Sequence, residues 1–176
     1  MQEIKQQKIG SISLFFIQIF STLSYSILFS TLILYMTKSL KLSAIESTSI
    51  TASFVAFNYT LHLLGGFITG RLFSNRALFA IGMFLQALGC TLLSMNHLNF
   101  GLAIFLTGSG LNVTCINCML TGFFSSHDKK REKAFLWNYS GMNIGFLIGF
   151  TISGFFEKFL LKEISRKIEK LYQQSI

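Results

Sequence analysis

The sequence predicts an all-α polytopic membrane protein with about five transmembrane helices, and two observations support that prediction. The chain has 176 residues, of which 51% are hydrophobic and only 12% are charged, whereas a soluble domain usually carries about 25% charged residues. Asp, Glu, Lys and Arg are also confined to short clusters, which leave segments 9–37, 47–70, 77–96, 98–126 and 134–156 without any of them. A soluble enzyme, a nucleic-acid-binding domain and a disordered chain are therefore disfavoured.

Each uncharged segment is long enough for a membrane-spanning helix, since about 20 apolar residues cross the hydrocarbon core. Residues 1–156 are expected to form one helical unit with spans at about 12–37, 47–70, 77–96, 98–124 and 134–156. The first span is kept in the mature chain, because it is too long for the apolar core of a signal peptide and no small-x-small cleavage site follows it. Helices are expected because the bilayer offers no partner to backbone N–H and C=O groups.

The distribution of basic residues predicts a cytoplasmic N-terminus, since short cytoplasmic loops are rich in Lys and Arg. One predicted side carries Lys5, Lys8, Arg71, Arg76, Lys129, Lys130, Arg131 and Lys133, and the opposite side carries Lys38 and Lys41. The expected location is the inner (cytoplasmic) membrane of a bacterial-type cell.

Residues 157–176 form a basic tail that this topology would place outside, against the charge rule. Its apolar positions recur at helical spacing, as in a helix that lies on the membrane surface; they are Leu160, Ile164, Ile168 and Leu171. The alternative is an arbitrary terminus left by truncation or a frameshift.

Small residues recur every four positions on one face of the fifth span, at Gly141, Gly145, Gly149 and Ser153. This spacing is typical of close packing between membrane helices. Cys115 and Cys118 form a Cys-x-x-Cys pair, a spacing that can bind metal or do redox chemistry. Because they lie in an apolar span without clustered histidines, we interpret them as packing residues, and neither a metal nor a cofactor is predicted.

His62 is the single titratable side chain well inside a predicted span, apart from tyrosine and cysteine. Ionisable groups inside the membrane often relay protons, so His62 is a candidate for proton coupling. The alternative is a histidine that hydrogen-bonds to a neighbouring helix or to interfacial water.

Five stretches of the sequence are similar to the proton-dependent oligopeptide transporters, a family within the major facilitator superfamily. The similarity covers about residues 12–156 and equates the chain with helices 1–5 of that family. It is carried by residues 34–43, by Phe54 with Tyr59, by the turn with Gly65-Gly66, Gly70-Arg71 and Arg76, by the Gly101 to Leu111 stretch, and by Ala134-Phe135 followed by Tyr139 and Gly141-Met142-Asn143-Ile144-Gly145.

The resemblance implies transport of a small polar solute, with di- and tripeptides carried by proton symport. No Ser-His-Asp set or pair of carboxylates in the sequence indicates catalysis, so enzymatic activity is not expected. It implies that Tyr25, Tyr59 and Asn143 face the solute, with Gln18 as a further candidate. The family's charged motifs are absent: by an ungapped match, the first-helix Glu-x-x-Glu-Arg positions hold Gln18, Ser21 and Thr22, the fourth-helix lysine falls at Val113, and the acid between helices 2 and 3 falls at Gly70.

Facilitators are built from two six-helix halves that rock around a solute site between them. The predicted partners are therefore the lipid bilayer, protons and short peptides, and a complementary transporter half or a second copy of this chain. The alternative function is a truncated, non-transporting remnant or an interaction subunit that needs a second half.

Overall fold

A computed structural model describes the backbone of residues 2–69, 74–125 and 127–174 and the side chains of residues 7–69, 74–125 and 127–159. The elements are α1 (Gln2–Leu34), which continues into a π-helical turn (Tyr35–Ser39), then α2 (Ala44–Ile68), α3 (Asn75–Ser94), α4 (Leu98–Thr121) and α5 (Lys130–Gln174). Every element in these ranges is helical, so the predicted all-α class is confirmed.

Helices α2 and α3 begin two to three residues before the predicted spans because serine caps, and not charges, fix their first turns. The Ser43 hydroxyl accepts a hydrogen bond from the Glu46 N–H at 3.2 Å, and the Glu46 carboxylate accepts one from the Ser43 N–H at 3.0 Å. The Ser74 hydroxyl accepts from the Ala77 N–H at 3.3 Å. Such caps satisfy N–H groups that lack partners within the helix.

Within the described residues, four helices are long and apolar enough to cross a membrane, at Gln7–Ser39, Asn75–Ser94, Leu98–Thr121 and Lys130–Phe159. The chain is thus built as a multi-pass membrane protein. Helix α2 has 25 residues but does not reach the same level of apolarity, because Ser, Thr, Glu46, Asn58 and His62 interrupt it. The span predicted at 47–70 therefore remains a prediction.

Helix α4 lies at the centre of the bundle, where it packs against α3, α2 and α1, while α5 packs mainly against α1. One buried cluster joins α1 to α4 through residues that include Leu32, Met36, Phe54 and Phe105. A second, smaller cluster joins Leu14 of α1 to Ile116 and Leu120 of α4.

The α3–α4 contact is close because glycines face each other across it. A Cβ atom placed at Gly89 would lie 2.8 Å from the Gly101 carbonyl oxygen, and one placed at Gly108 would clash with the Gly82 carbonyl oxygen. Only residues without a side chain allow the two backbones this separation.

Helix α5 continues without a break to Gln174, so the backbone of the predicted tail is helical over residues 157–174. The side chains of its apolar stripe, Leu160, Ile164, Ile168 and Leu171, lie outside the described residues, as do Gly70 and Arg71 between α2 and α3. The amphipathic character predicted for the tail therefore stays a prediction.

Candidate functional site

A cavity of about 440 Å³ lies between α1, α4 and α5. This volume falls in the range of small-molecule sites, about 300–1,000 Å³. Along α5 it extends from Glu132 to Met142, a helical rise of about 15 Å. The cavity is lined by Gln18, Val113, Asn117, Glu132, Phe135, Leu136, Asn138, Tyr139 and Met142.

Two buried amides form the polar wall of this cavity. The Asn138 Nδ2 group donates to Gln18 Oε1 at 3.4 Å, and Gln18 Nε2 donates to Thr22 Oγ1 at 3.0 Å. Gln18 is 3% exposed and Asn138 is 6% exposed. The Asn138 Oδ1 atom has no hydrogen-bond partner among the described protein atoms. A buried oxygen without a partner costs about 1–3 kcal/mol. The atom has almost no accessible surface in the structure, so a donor from a molecule in the cavity would relieve that cost only after the Asn138 side chain rotates.

The glycine face of α5 brings Asn138 close to Gln18. A Cβ atom at Gly141 would lie 3.0 Å from the Phe15 ring, and one at Gly145 would lie 2.6 Å from the Ile19 carbonyl oxygen. A Cβ atom at Gly149 would clash with the Ser26 side chain. Because the glycines hold α5 against α1, the Asn138 amide, one turn before Gly141, reaches across the contact to Gln18.

By the resemblance, several positions in the wall of this cavity correspond to charged residues of the family. In this chain they hold neutral residues. Gln18 and Thr22 form the hydrogen-bonded chain, Ser21 is 4% exposed, and Val113 lines the cavity from α4. Glu132, near the start of α5, is the acidic residue among the lining residues. The cavity therefore offers amide donors and acceptors and one carboxylate.

Tyr25 does not line this cavity. Its ring stacks on Phe29 at 6.1 Å and on Phe54 at 5.7 Å, and it meets Phe146 edge to face at 6.2 Å. These rings link α1 to α2 and α5, so the structure places Tyr25 in an aromatic cluster.

Tyr59 and Asn143 lie on open surfaces of two different helices. Tyr59 of α2 is 69% exposed. Asn143 of α5 is exposed, and its Nδ2 group donates to the Tyr139 carbonyl oxygen of the same helix at 3.1 Å. Helices α2 and α5 make no contact with each other within their described residues. The structure thus does not bring these two side chains together with Gln18.

His62 lies where α2 meets α4, away from the amide pair. Its backbone carbonyl accepts a hydrogen bond from Thr114 Oγ1 at 3.1 Å, and its ring meets the Tyr59 ring edge to face at 6.3 Å. The Nε2 atom is buried and has no partner among the described protein atoms.

The sequence indicated the polar character of Asn117 and Asn138 but did not assign them to a site. Both are amides inside uncharged spans, which was the available signal. Tyr139 contributes to the family signature, and Glu132 belongs to the charged cluster before the fifth span. Helical spacing alone cannot show that these residues line the same cavity as Gln18, 99 or more positions away in the chain.

The Major Facilitator Superfamily pattern matches residues 14–159, which is most of the chain. The chain belongs to the Major Facilitator Superfamily. Among curated relatives, it is 26% identical over 137 residues to dipeptide and tripeptide permease A of Erwinia pyrifoliae, covering 75% of this chain and 28% of the permease. It is 25% identical over 150 residues to the permease A of Pectobacterium carotovorum, covering 82% and 29%.

Solved structures of peptide transporters resemble this facilitator chain as well. A peptide transporter in complex with sulfate matches with a TM-score of 0.69 and 25% identity, covering 77% of this chain and 30% of that one. A transporter of the same family in complex with 5-aminolevulinic acid matches with a TM-score of 0.74 and 24% identity, covering 90% and 36%.

These comparisons confirm the resemblance to proton-dependent oligopeptide transporters. The chain spans less than a third of the length of the two permeases it matches. The helical arrangement described above is therefore that of part of a peptide-transporter-like facilitator.

Proposed function

We propose that this chain forms part of a facilitator that moves a small polar solute across the bacterial inner membrane. The observation that supports it most is the cavity between α1, α4 and α5, with Gln18 and Asn138 in its wall. A buried amide oxygen without a partner is costly in an apolar bundle, and a solute that donates a hydrogen bond offsets that cost.

Di- and tripeptides are the proposed solute, because their chemistry matches the lining of the cavity. Amide side chains donate and accept hydrogen bonds, as do the backbone amides of a peptide. Glu132 supplies a negative charge for a peptide ammonium group at one end of the cavity. The curated relatives with similar sequences are dipeptide and tripeptide permeases, which supports the same solute class.

A second helical bundle is part of this proposal, since alternating access requires two bundles that rock around the site. The proposed partner is a complementary half or another copy of this chain. Tyr59 and Asn143 are exposed in the structure. We propose that their surfaces face the solute when a second bundle packs opposite this one. We propose that Tyr25 supports this surface through its ring contacts with Phe29, Phe54 and Phe146. The N-terminus is proposed to be cytoplasmic.

Uptake of labelled alanine dipeptide tests the function. Proteoliposomes that contain the purified chain would be given an inward proton gradient. If the second bundle is another copy of this chain, the proposal predicts uptake above that of empty liposomes, abolished by a protonophore. Absence of uptake from protein shown to be folded would contradict transport by this chain alone. That outcome would favour the alternative function, an interaction subunit that needs a second half.

His62 is the proposed proton carrier, on the basis of its buried Nε2 atom inside α2. His62→Gln should abolish uptake driven by a pH gradient and leave counterflow exchange of dipeptide intact, because glutamine keeps the polarity but cannot be protonated. His97→Gln is the matched control, since His97 is exposed at the start of α4. Unchanged pH-driven uptake in His62→Gln would contradict the assignment.

A further inference from the structure

A second cavity, separate from the proposed solute site, opens between residues 7–16 of α1 and residues 130–137 of α5. It has a volume of about 660 Å³. Its apolar floor includes Phe15 and Trp137, whose rings meet edge to face at 5.5 Å and bridge the two helices. We call this cavity the basic groove, because Lys8, Lys130 and Lys133 also line it.

The charges of the basic groove are all of one sign. Lys8, Lys130 and Lys133 are exposed, and among the described residues that line the groove none is acidic. Glu132 lies between two of these lysines in sequence, but it lines the solute cavity instead. Three ammonium groups without a carboxylate at one opening form a site for an anion.

The apolar residues of the groove lie deeper than its lysines. On α1, Phe16 follows Lys8 by two helical turns, a rise of about 12 Å, and on α5, Trp137 follows Lys133 by one turn, a rise of about 6 Å. Phe16 is 53% exposed and Trp137 is 58% exposed. Tryptophan is enriched where the headgroup region meets the hydrocarbon core. The groove therefore places its charges at headgroup level and its aromatic rings beside the acyl chains.

We propose that the basic groove binds an anionic phospholipid. Its phosphate lies among Lys8, Lys130 and Lys133, and an acyl chain lies along Phe16 and Trp137. Basic pockets between transmembrane helices are known to bind anionic headgroups. The apolar floor favours a lipid over a free phosphate, because inorganic phosphate would leave Phe16 and Trp137, each more than half exposed, without an apolar partner.

The chain carries a single tryptophan, and it lies in this groove, so its fluorescence reports lipid binding directly. The purified chain in detergent would be titrated with phosphatidylglycerol brominated on its acyl chains, and separately with phosphatidylcholine brominated in the same way. Bromine quenches a nearby indole. Phosphatidylglycerol should reach half-quenching at a mole fraction at least about fivefold lower, the effect expected of even one lysine near a headgroup.

A triple variant, Lys8→Gln with Lys130→Gln and Lys133→Gln, should reduce this preference to less than about twofold, because each lysine contributes about fivefold. Retention of the full preference in folded variant protein would overturn the proposal.

The matched control, Lys38→Gln with Lys41→Gln and Lys129→Gln, removes the same total charge from residues that do not line the groove. It should keep the preference. An equal loss of the lipid preference in the control would show that the preference comes from the overall positive charge of the protein. That result would overturn the groove as a specific site.

Two wild-type measurements keep the test decisive if the triple variant does not fold. Equal quenching by the two lipids would overturn the proposal. Inorganic phosphate should displace brominated phosphatidylglycerol only at concentrations well above that of the lipid, because phosphate competes for the lysines but not for the apolar floor. Displacement by phosphate at a concentration similar to that of the lipid would show that the acyl chain adds nothing and would also overturn the proposal.

Discussion

The α3–α4 and α1–α5 contacts contain the same types of residue but pack differently. Each has glycines at its centre and a pair of buried amides that bond across it, Asn112 with Gln86 at 2.8 Å in the first and Asn138 with Gln18 at 3.4 Å in the second. The α3–α4 backbones meet directly at their glycines, whereas the α1–α5 contact borders the cavity of about 440 Å³ that we propose as the solute site.

The difference lies in which helix carries the glycines. In the α3–α4 contact both helices contribute them, so the two backbones meet along the whole contact. In the α1–α5 contact they all lie on α5 and face larger residues such as Phe15, Ile19 and Ser26. Glycines on both sides close an interface, and glycines on one side position a helix but leave room beside it. We infer that the first contact is structural and the second is functional.

The largest expected effect is that of a side chain in the two-sided contact. Gly108→Leu should lower the free energy of unfolding by about 3 kcal/mol or more, at the upper end of the cost of overpacking. Its Cβ would meet backbone atoms of Gly82 and Gln86, which cannot rotate away. Thermal unfolding in detergent measures the change.

Gly154→Leu is the matched control, because a Cβ at Gly154 has no atom within 4 Å. It should leave stability unchanged or raise it slightly, since leucine is the better helix former. Equal effects of the two substitutions would contradict the close contact between α3 and α4.

A smaller loss, about 1–3 kcal/mol, is expected from Gly145→Leu in the one-sided contact. The new side chain would meet the Ile19 carbonyl oxygen and the Thr22 side chain, and the smaller contact with α1 leaves less packing to lose. The same unfolding measurement would show it. Unaltered stability would indicate that this face of α5 is turned toward lipid.

The smallest effect is expected outside both contacts, at the cap of α2. Ser43→Ala should cost about 0.5–2 kcal/mol. Hydrogen bonds from the Ser43 hydroxyl and then from its backbone N–H lower the pKa of Glu46. Because this pKa is lower in the folded state, its contribution is present above the unfolded pKa and is lost as the pH falls through the folded pKa. Unfolding curves at neutral and acidic pH should show that Ser43→Ala reduces this pH dependence; an unchanged dependence would contradict the capping box.

The helical class and the family could be predicted because they depend on composition and on local patterns. Uncharged segments of sufficient length indicated the helices, and the fifth-span signature around Tyr139 and Asn143 indicated the family. Boundaries were less accurate, because charges mark where an apolar core ends, whereas caps such as Ser43 and Ser74 decide where a helix begins.

The candidate site could be predicted only in part, since it depends on how the helices rotate against each other. Gln18 was identified through the family match, but its partner Asn138 was not assigned to a site. The resemblance also pointed to Tyr59 and Asn143, which are exposed in the structure. The direction in which a side chain points depends on the helices that pack around it, and a single sequence does not specify that packing.

Equilibrium binding of labelled alanine dipeptide to the purified chain tests the central inference most directly, because binding does not require translocation. Two double variants would be compared with the wild type, Gln18→Leu with Asn138→Leu and Gln86→Leu with Asn112→Leu. Replacing both partners of an amide pair costs less than replacing one, because neither amide is left without the other. The buried Thr22 hydroxyl loses its bond from Gln18 in the first variant, so the folding of each variant would be checked first.

The account predicts that the first double variant weakens dipeptide binding by about tenfold or more, the value of one or two hydrogen bonds. The second should bind like the wild type, because its amides lie in the closed contact. Equal affinities in both variants, or a loss only in the second, would contradict the assignment of the solute site to the α1–α5 contact.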